Sequence, residues 1–309
     1  MTLSIIIPVY KNKEMLLKNL KHNYPYLRNY EIILVDDASG EDIRATVEKE
    51  FPKIKVIENM HNLGFGSSVN RGVEIAHGSY LFLLNTDVLL SDDSFLKAIN
   101  FLNEHQDYFG VSFKQREKDG KFVGKNAFYT RHGFILNKKV EDLKEGLNGW
   151  AEGGCSIIRA SYFRELKGFD TIYKPFYHED NDLSYRAYKR EWRVLFDPQI
   201  IVEHHHESTI RKYFTNEFIK TTAYRNHFIF MWKNMTDQTL LLEHIFFLPY
   251  YFIKHAIVFD APFFKGFVNA LGYLGEILQK RTVEIKETIN TDKEVLATFK
   301  KAHDISKKK

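Results

Sequence analysis

The chain has one cysteine, Cys155, among its 309 residues. One thiol closes no internal disulfide and builds no cysteine-based zinc cluster, so the expectation is a reducing, cytoplasmic setting and a fold held by its core. A chain of this length can bury such a core without staples. Long apolar runs are missing too. In the apolar stretch 240–278, Lys254, Asp260, Lys265 and two prolines interrupt the pattern, and no uncharged run reaches the ~18–20 residues of a spanning helix. The opening MTLSIIIPVYKNK has no basic segment before its short apolar run and reads as a buried strand rather than an export signal. No glycine follows that run, and Gly64, Gly66 and Gly72 of NLGFGSSVNRG do not fall into GxGxxG. A nicotinamide or flavin site loses its main support.

Excess charge is scarce and localised. The formal net charge is +4, with nine Lys/Arg and five Asp/Glu from Lys280 to Lys309, which leaves 35 of each sign in residues 1–279. A neutral body lacks the concentrated basic face that nucleic acid requires. A basic tail beside an apolar segment points instead to peripheral contact with an anionic membrane through residues 240–309. A homodimer interface is the alternative use of the same apolar helices.

What is present begins with alternation. LSIIIPV, EIILVDD, IKVIEN and SYLFLLNTD are continuous apolar runs, separated by KEMLLKNLKHN, EDIRATVEKEF and FGSSVNRGVEIA. Runs of this kind between helical stretches predict strands buried on both faces of a parallel sheet, an α/β doubly wound fold. Such folds bind ligands beyond the carboxyl ends of their strands, which singles out Pro8 and Tyr10, Asp36 and Asp37, and Asn85-Thr86-Asp87. Residues 107–150 read as a mixed sheet edge with loops, and His178-Glu179-Asp180 as the start of a helix running to Arg190. Residues 1–235 form the expected catalytic domain, and 236–309 a helical, amphipathic extension.

Each acidic group has two readings. Asp87 either holds a hard divalent cation against a diphosphate or caps the following turn. Asp36 and Asp37 either contact a ribose or base or form a turn, with Asp36 favoured for the contact. Glu179 and Asp180, with Asp182 nearby, either crowd one another until one becomes a general base near neutral pH or cap the helix. In IVEHHHES, neighbouring residues of an extended segment face opposite ways, so His204 and His206 share a side and His205 takes the other. They cannot all bind one ion, but one histidine could bias a site toward manganese over calcium.

Taken in order, SIIIPVY, ILVDDAS, NLGFGSSVNRG, LFLLNTD, WAEGGCSIIR, GFD, HEDNDLSYR and VEHHH resemble the family 2 glycosyltransferases with the GT-A fold, nearest the rhamnosyltransferase-like branch. The resemblance covers roughly 3–235. It implies a mixed, mostly parallel GT-A sheet and inverting transfer of a sugar from a nucleotide-diphosphate donor to a glycan or lipid-linked acceptor. Pro8, Tyr10, Asp36, Asn70, Asn85, Thr86 and Asp87 would bind the nucleotide sugar, with Asn85 replacing the first acid of the DxD-type motif. Asp87 and His204 would hold Mn²⁺ or Mg²⁺. His205 matches a second, less fixed position, and His206 falls where a small residue is usual. Asp180 would be the base, with Glu179 beside it in the catalytic pair, and Trp150, Gly153 and Gly154 would shape the pocket for donor and acceptor. A hydrogen bond from the imide of uracil or thymine to Asp36 would favour UDP or dTDP. The rival is a non-catalytic nucleotide-binding scaffold, suggested by Asn85. Nucleotidyl transfer ranks last because PVYKNK has no glycine-rich phosphate loop.

Overall fold

The computed structural model describes residues 2–204 and 212–307, with side chains to Lys300. The first four strands are β1 (Leu3–Val9), β2 (Glu31–Asp36), β3 (Ile54–Glu58) and β4 (Tyr80–Leu84), joined by α1 (Lys13–Leu27), α2 (Ile43–Glu50) and α3 (Phe65–Glu74). They lie side by side as β4-β1-β2-β3, all parallel. The reason lies in β1. Leu3, Ile5, Ile7 and Val9 enter one core with α1 and α2, while Ile6 enters the other with α3. A strand that feeds two cores is apolar at nearly every position, hence a run rather than an alternation; the exception, Ser4, is buried and donates to Glu31.

The second half continues with β5 (Val88–Leu90), α4 (Leu96–Glu104), β6 (Tyr108–Arg116), β7 (Phe122–Val123), the hairpin β8 (Asn126–Arg131) and β9 (Phe134–Lys139), β10 (Gly146–Leu147), β11 (Cys155–Arg159) and α5 (Ala160–Glu165). α6 (Glu179–Lys189) and β12 (Arg193–His204) follow. β11 enters antiparallel between β4 and β6, and β12 runs parallel to β6. The sheet is thus mixed, with its parallel block on the β1 side. β12 shifts register between Asp197 and Ile201, around Pro198, which has no N–H to give to the ladder. Beyond that irregularity its end pairs with β5, His204 opposite Val88.

The remaining helices are α7 (Asn216–Asn234), α8 (Gln238–Ile257), α9 (Ala261–Leu271), α10 (Leu274–Glu287) and α11 (Asp292–Lys307). Buried ion pairs bind them to α6. Asp292, fully buried, accepts from Lys189 Nζ at 2.9 Å, Tyr185 Oη at 2.8 Å and the backbone N–H groups of Thr236 and Asp237. Arg190 meets Glu284 at 3.1 Å, and Lys280 meets Asp170 at 3.0 Å. The extension is therefore part of the platform under α6. No helix among the described residues is long and apolar enough to cross a membrane.

Candidate active site

A cleft of about 690 Å³ opens at the carboxyl ends of β1, β2 and β4. Pro8 and Tyr10 form its wall after β1, and Asn85, Thr86 and Asp87 its floor after β4. Gly153, Gly154, Glu179, Asp180 and His204 close the opposite side. Gly154 is required there because a Cβ would come within 2.5 Å of the Asn85 amide, and its carbonyl accepts the Asn85 N–H at 2.8 Å. Asn85 thus braces the floor against the Gly153-Gly154 turn.

Strand register explains how Asp87 and His204 meet. β5 begins directly after Asp87 and pairs with the end of β12, which sets His204 Nε2 3.3 Å from Asp87 Oδ1. On the other side of the ring, His204 Nδ1 lies 2.8 Å from Gln115 Oε1, and the Gln115 amide nitrogen donates to Glu152 Oε2. A carboxylate only accepts, so Glu152 fixes which end of the Gln115 amide faces the imidazole. Nδ1 then carries the hydrogen, and Nε2 faces Asp87. Two acceptors facing one another need a proton or a cation between them, and carboxylate plus imidazole is a donor set that Mn²⁺ accepts. Glu152, Cys155 and His204 also bring ligand atoms within 4.8 Å of one another. Burial pushes the Cys155 thiol well above its ordinary range, so without a metal beside it the thiol stays protonated. The residues fit a divalent ion. His205 and His206 lie outside the described residues.

Glu179 and Asp180 open α6 behind two left-handed residues, Tyr177 at φ 73° and His178 at φ 76°. Non-glycine residues occupy that region at a cost, and such strain tends to sit at functional sites. Burial, reinforced by the Glu152 carboxylate, pushes Asp180 up to about 6. Burial and the Asp180 charge push Glu179 up to about 8, and its Oε2 is buried without a hydrogen-bond partner. The two raised carboxyls titrate together, so near neutral pH the pair holds on to a proton that two free carboxyls would have lost. Two adjacent carboxyls with separated pKa values divide the roles of base and acid.

Four expectations change. Asp36 is not among the residues lining the cleft, and its Oδ1 accepts from the Ser39 N–H at 3.0 Å and from the Ser39 hydroxyl. The wall belongs to Asp37, whose carboxylate accepts from the Leu63 N–H at 2.7 Å and the Gly64 N–H at 2.9 Å. The uracil argument therefore loses its residue. Asn70 is outside the cleft lining and clamps Phe169, donating to its carbonyl and accepting from its N–H. Trp150 packs on Phe128 instead of facing the cleft, and its carbonyl accepts from Ser112 and Asn148. Asp182 is turned inward, where Lys233 and Arg186 contact it at 2.6 and 2.8 Å, so it is a paired carboxylate whose charge still helps to raise Glu179. Two functional side chains escaped the sequence reading. Glu152, an acid in the glycine-rich WAEGG, carried a signal; Gln115, an ordinary strand residue, carried none.

A family model described as glycosyl transferase family 2 matches residues 4–167, more than half of the chain. The chain belongs to glycosyl transferase family 2. This family 2 chain is 31% identical over 202 residues to the poly(ribitol-phosphate) beta-glucosyltransferase of Bacillus spizizenii, covering 63% of itself and 30% of that protein. It is 25% identical over 207 residues to the N-acetylglucosaminyl-diphospho-decaprenol L-rhamnosyltransferase of Mycobacterium tuberculosis, covering 58% of itself and 67% of that relative. It therefore spans under a third of the first relative and about two thirds of the second. Among solved structures, GalNAc-T7 with UDP, GalNAc and Mn²⁺ superposes with a TM-score of 0.62 at 16% identity, over 77% of this chain and 48% of that one. Staphylococcus aureus TarS 1–349 gives 0.57 at 19% identity, over 92% and 83%. At these identities the likeness shows the shared GT-A fold.

Proposed function

We propose that this family 2 chain is an inverting, metal-dependent glycosyltransferase that moves a sugar from a nucleotide-diphosphate donor to a hydroxyl of a glycan or lipid-linked acceptor in cell-envelope polysaccharide synthesis. The observation that carries the reading is the sharing of one cleft by Asp180, a carboxylate lifted toward working pH, and by the converging pair Asp87 and His204. Asp180 takes the acceptor hydroxyl proton as that oxygen bonds to the anomeric carbon, and the bond to the diphosphate oxygen breaks in the same displacement. A single attack inverts the centre. Asp87 and His204 would hold Mn²⁺ or Mg²⁺, which when bound stabilises the charge on the departing diphosphate. Pro8, Tyr10 and Asp37 wall the nucleoside end. The names of the relatives, glucosyl and rhamnosyl transferases acting on ribitol phosphate polymer and polyprenyl diphosphate, support a cell-envelope substrate. The UDP in the GalNAc-T7 and TarS complexes makes UDP- and dTDP-sugars the first donors to try. Turnover of a UDP-, dTDP- and GDP-sugar panel with Mn²⁺ or with chelator, and the anomeric configuration of the product by NMR, test this. Nucleotide binding without turnover of any donor would favour the scaffold.

Membrane contact is the second part of the proposal. Leu242, Ile245, Phe246, Tyr250, Ile253 and Ile257 are exposed three or four residues apart on α8, and Phe259, 92% exposed, extends them toward Val268 and Leu271 of α9. Exposed Lys254 and Lys265 lie in the same segment. A broad apolar face with aromatic and lysine residues suits the interface of an anionic bilayer and would seat the enzyme at the cytoplasmic face. Cosedimentation with phosphatidylglycerol vesicles should fall sharply for Phe246→Glu/Phe259→Glu. Undiminished binding refutes the contact, and a monomer-dimer shift in that variant would assign the face to a second copy.

A further inference from the structure

A second cavity of about 210 Å³ lies between the β8–β9 hairpin, the start of α6 and α7. The turn that opens α6 separates it from the cleft. Tyr177, Glu179 and Asp180 line the cleft, whereas His178 and Asn181 line the cavity. Whatever occupies the cavity therefore sits directly behind the catalytic pair.

Its lining says what that occupant is. Phe128, Tyr129 and Phe230 supply aromatic wall. Two polar atoms are buried there without a hydrogen-bond partner, Asn181 Nδ2, on a side chain 7% exposed, and His178 Nδ1. A buried donor left unmade costs stability, and apolar walls with a few placed polar groups are the signature of a ligand pocket. Across the cavity His227 is already engaged, its Nε2 2.8 Å from the Ile135 carbonyl. No charged side chain lines the cavity among the described residues, and burial holds both histidines below their ordinary range. An anion such as a polyol phosphate would meet no cation; an uncharged polyhydroxylated ring would meet a donor, an imidazole and aromatic faces. A volume of about 210 Å³ is room for one pyranose.

We infer that this cavity is a binding site for one uncharged sugar unit. The inference rests on the glycosyltransferase reading and goes beyond it, because a sugar held behind the turn that carries Glu179 and Asp180 lies outside the cleft where transfer takes place.

Saturation-transfer NMR on the full chain, with UDP and Mn²⁺ present to fill the cleft, tests it using glucose, N-acetylglucosamine and rhamnose as uncharged probes and glycerol 3-phosphate as the anionic one. At least one uncharged probe should bind and the anion should not. Leu136→Trp, which fills the cavity from β9, and Asn181→Leu, which removes the donor, should each weaken sugar binding at least about fivefold while UDP binding reports a folded chain. Should both variants misfold, the wild-type chain labelled with ¹⁵N-asparagine still decides: the Asn181 side-chain amide must shift with the sugar. Sugar binding unaffected in the filled variants, binding of the anion alone, or no binding by any probe would overturn the subsite, the last leaving a cavity of ordered water only. Failure of the underlying reading looks different, since then no nucleotide sugar is turned over even where a free sugar binds.

Discussion

Asp180 and Asp182 stand two residues apart on one helix and titrate in opposite directions. Asp180 faces the cleft, where burial and the Glu152 charge lift it to about 6. Asp182 faces inward. Burial would raise it as well, but Lys233 and Arg186 hold it below its ordinary value, and Tyr173 and Asn234 donate to it at 2.8 and 2.7 Å. The signs for stability differ accordingly. Ionising Asp180 costs the fold as pH rises from its ordinary 3.8 toward 6, while ionised Asp182 stabilises above its ordinary value and that contribution is lost as pH falls. Identical residues on one helix thus serve chemistry and architecture, and the partners decide which.

The largest effect should come from breaking the cleft side. Asp180→Asn keeps shape and removes the base, so transfer should fall about 10²- to 10⁴-fold with nucleotide affinity nearly unchanged. Steady-state rates with calorimetric nucleotide binding check this, and near-full activity would sink the assignment. On the inward side, Asp182→Ala leaves Lys233 and Arg186 less compensated and should cost about 3–5 kcal/mol of stability, read from denaturant midpoints. The contrast would collapse if Asp182→Ala folded normally and lost only rate.

How much of this was legible in the sequence follows the same division. β1, β2 and β4 could be read from their apolar runs, because burial on both faces leaves a nearly continuous signal, whereas β3, at the sheet edge, alternates and exposes Lys55. Asp87 could be located in the turn after β4, His204 at the end of β12 and Asp180 at the start of α6. The roles of Asp36 and Asp37 could not be divided, since they are neighbours at the end of β2 and both are buried and hydrogen-bonded; only the folded chain brings Asp37 rather than Asp36 to the cleft. Asp182 was grouped with its neighbours because its cations come from Lys233 on α7 and Arg186 one turn on, and no local pattern announces the long-range partner. Gln115 was invisible for the same reason: its importance is its meeting with His204, 89 residues away.

That meeting gives the next largest effect. Gln115→Leu removes the group that sets the His204 tautomer, and loss of such an outer partner typically costs 10- to 100-fold in metal affinity. Calorimetric Mn²⁺ binding should weaken by that amount, with the His204 nitrogen shifts moving away from the Nδ1–H pattern. An unchanged affinity would remove His204 from the metal site.

The smallest effect is the sharpest probe of the comparison. After burial, the Glu152 carboxylate is the strongest influence lifting Asp180. Glu152→Gln keeps size and an acceptor oxygen while deleting the charge. Because Asp180 must be ionised to act, kcat/KM should rise through about pH 6 in the parent and level above it. With the neighbouring charge gone, ionisation becomes easier and the rising limb should move to lower pH, approaching the behaviour of a carboxylate without an acidic neighbour. A pH profile of both proteins on one donor measures the displacement. A limb that stays in place would mean that Glu152, itself raised by burial, carries its own proton across that range and that burial alone tunes the base. A limb that moves upward would contradict the electrostatic account of Asp180 altogether.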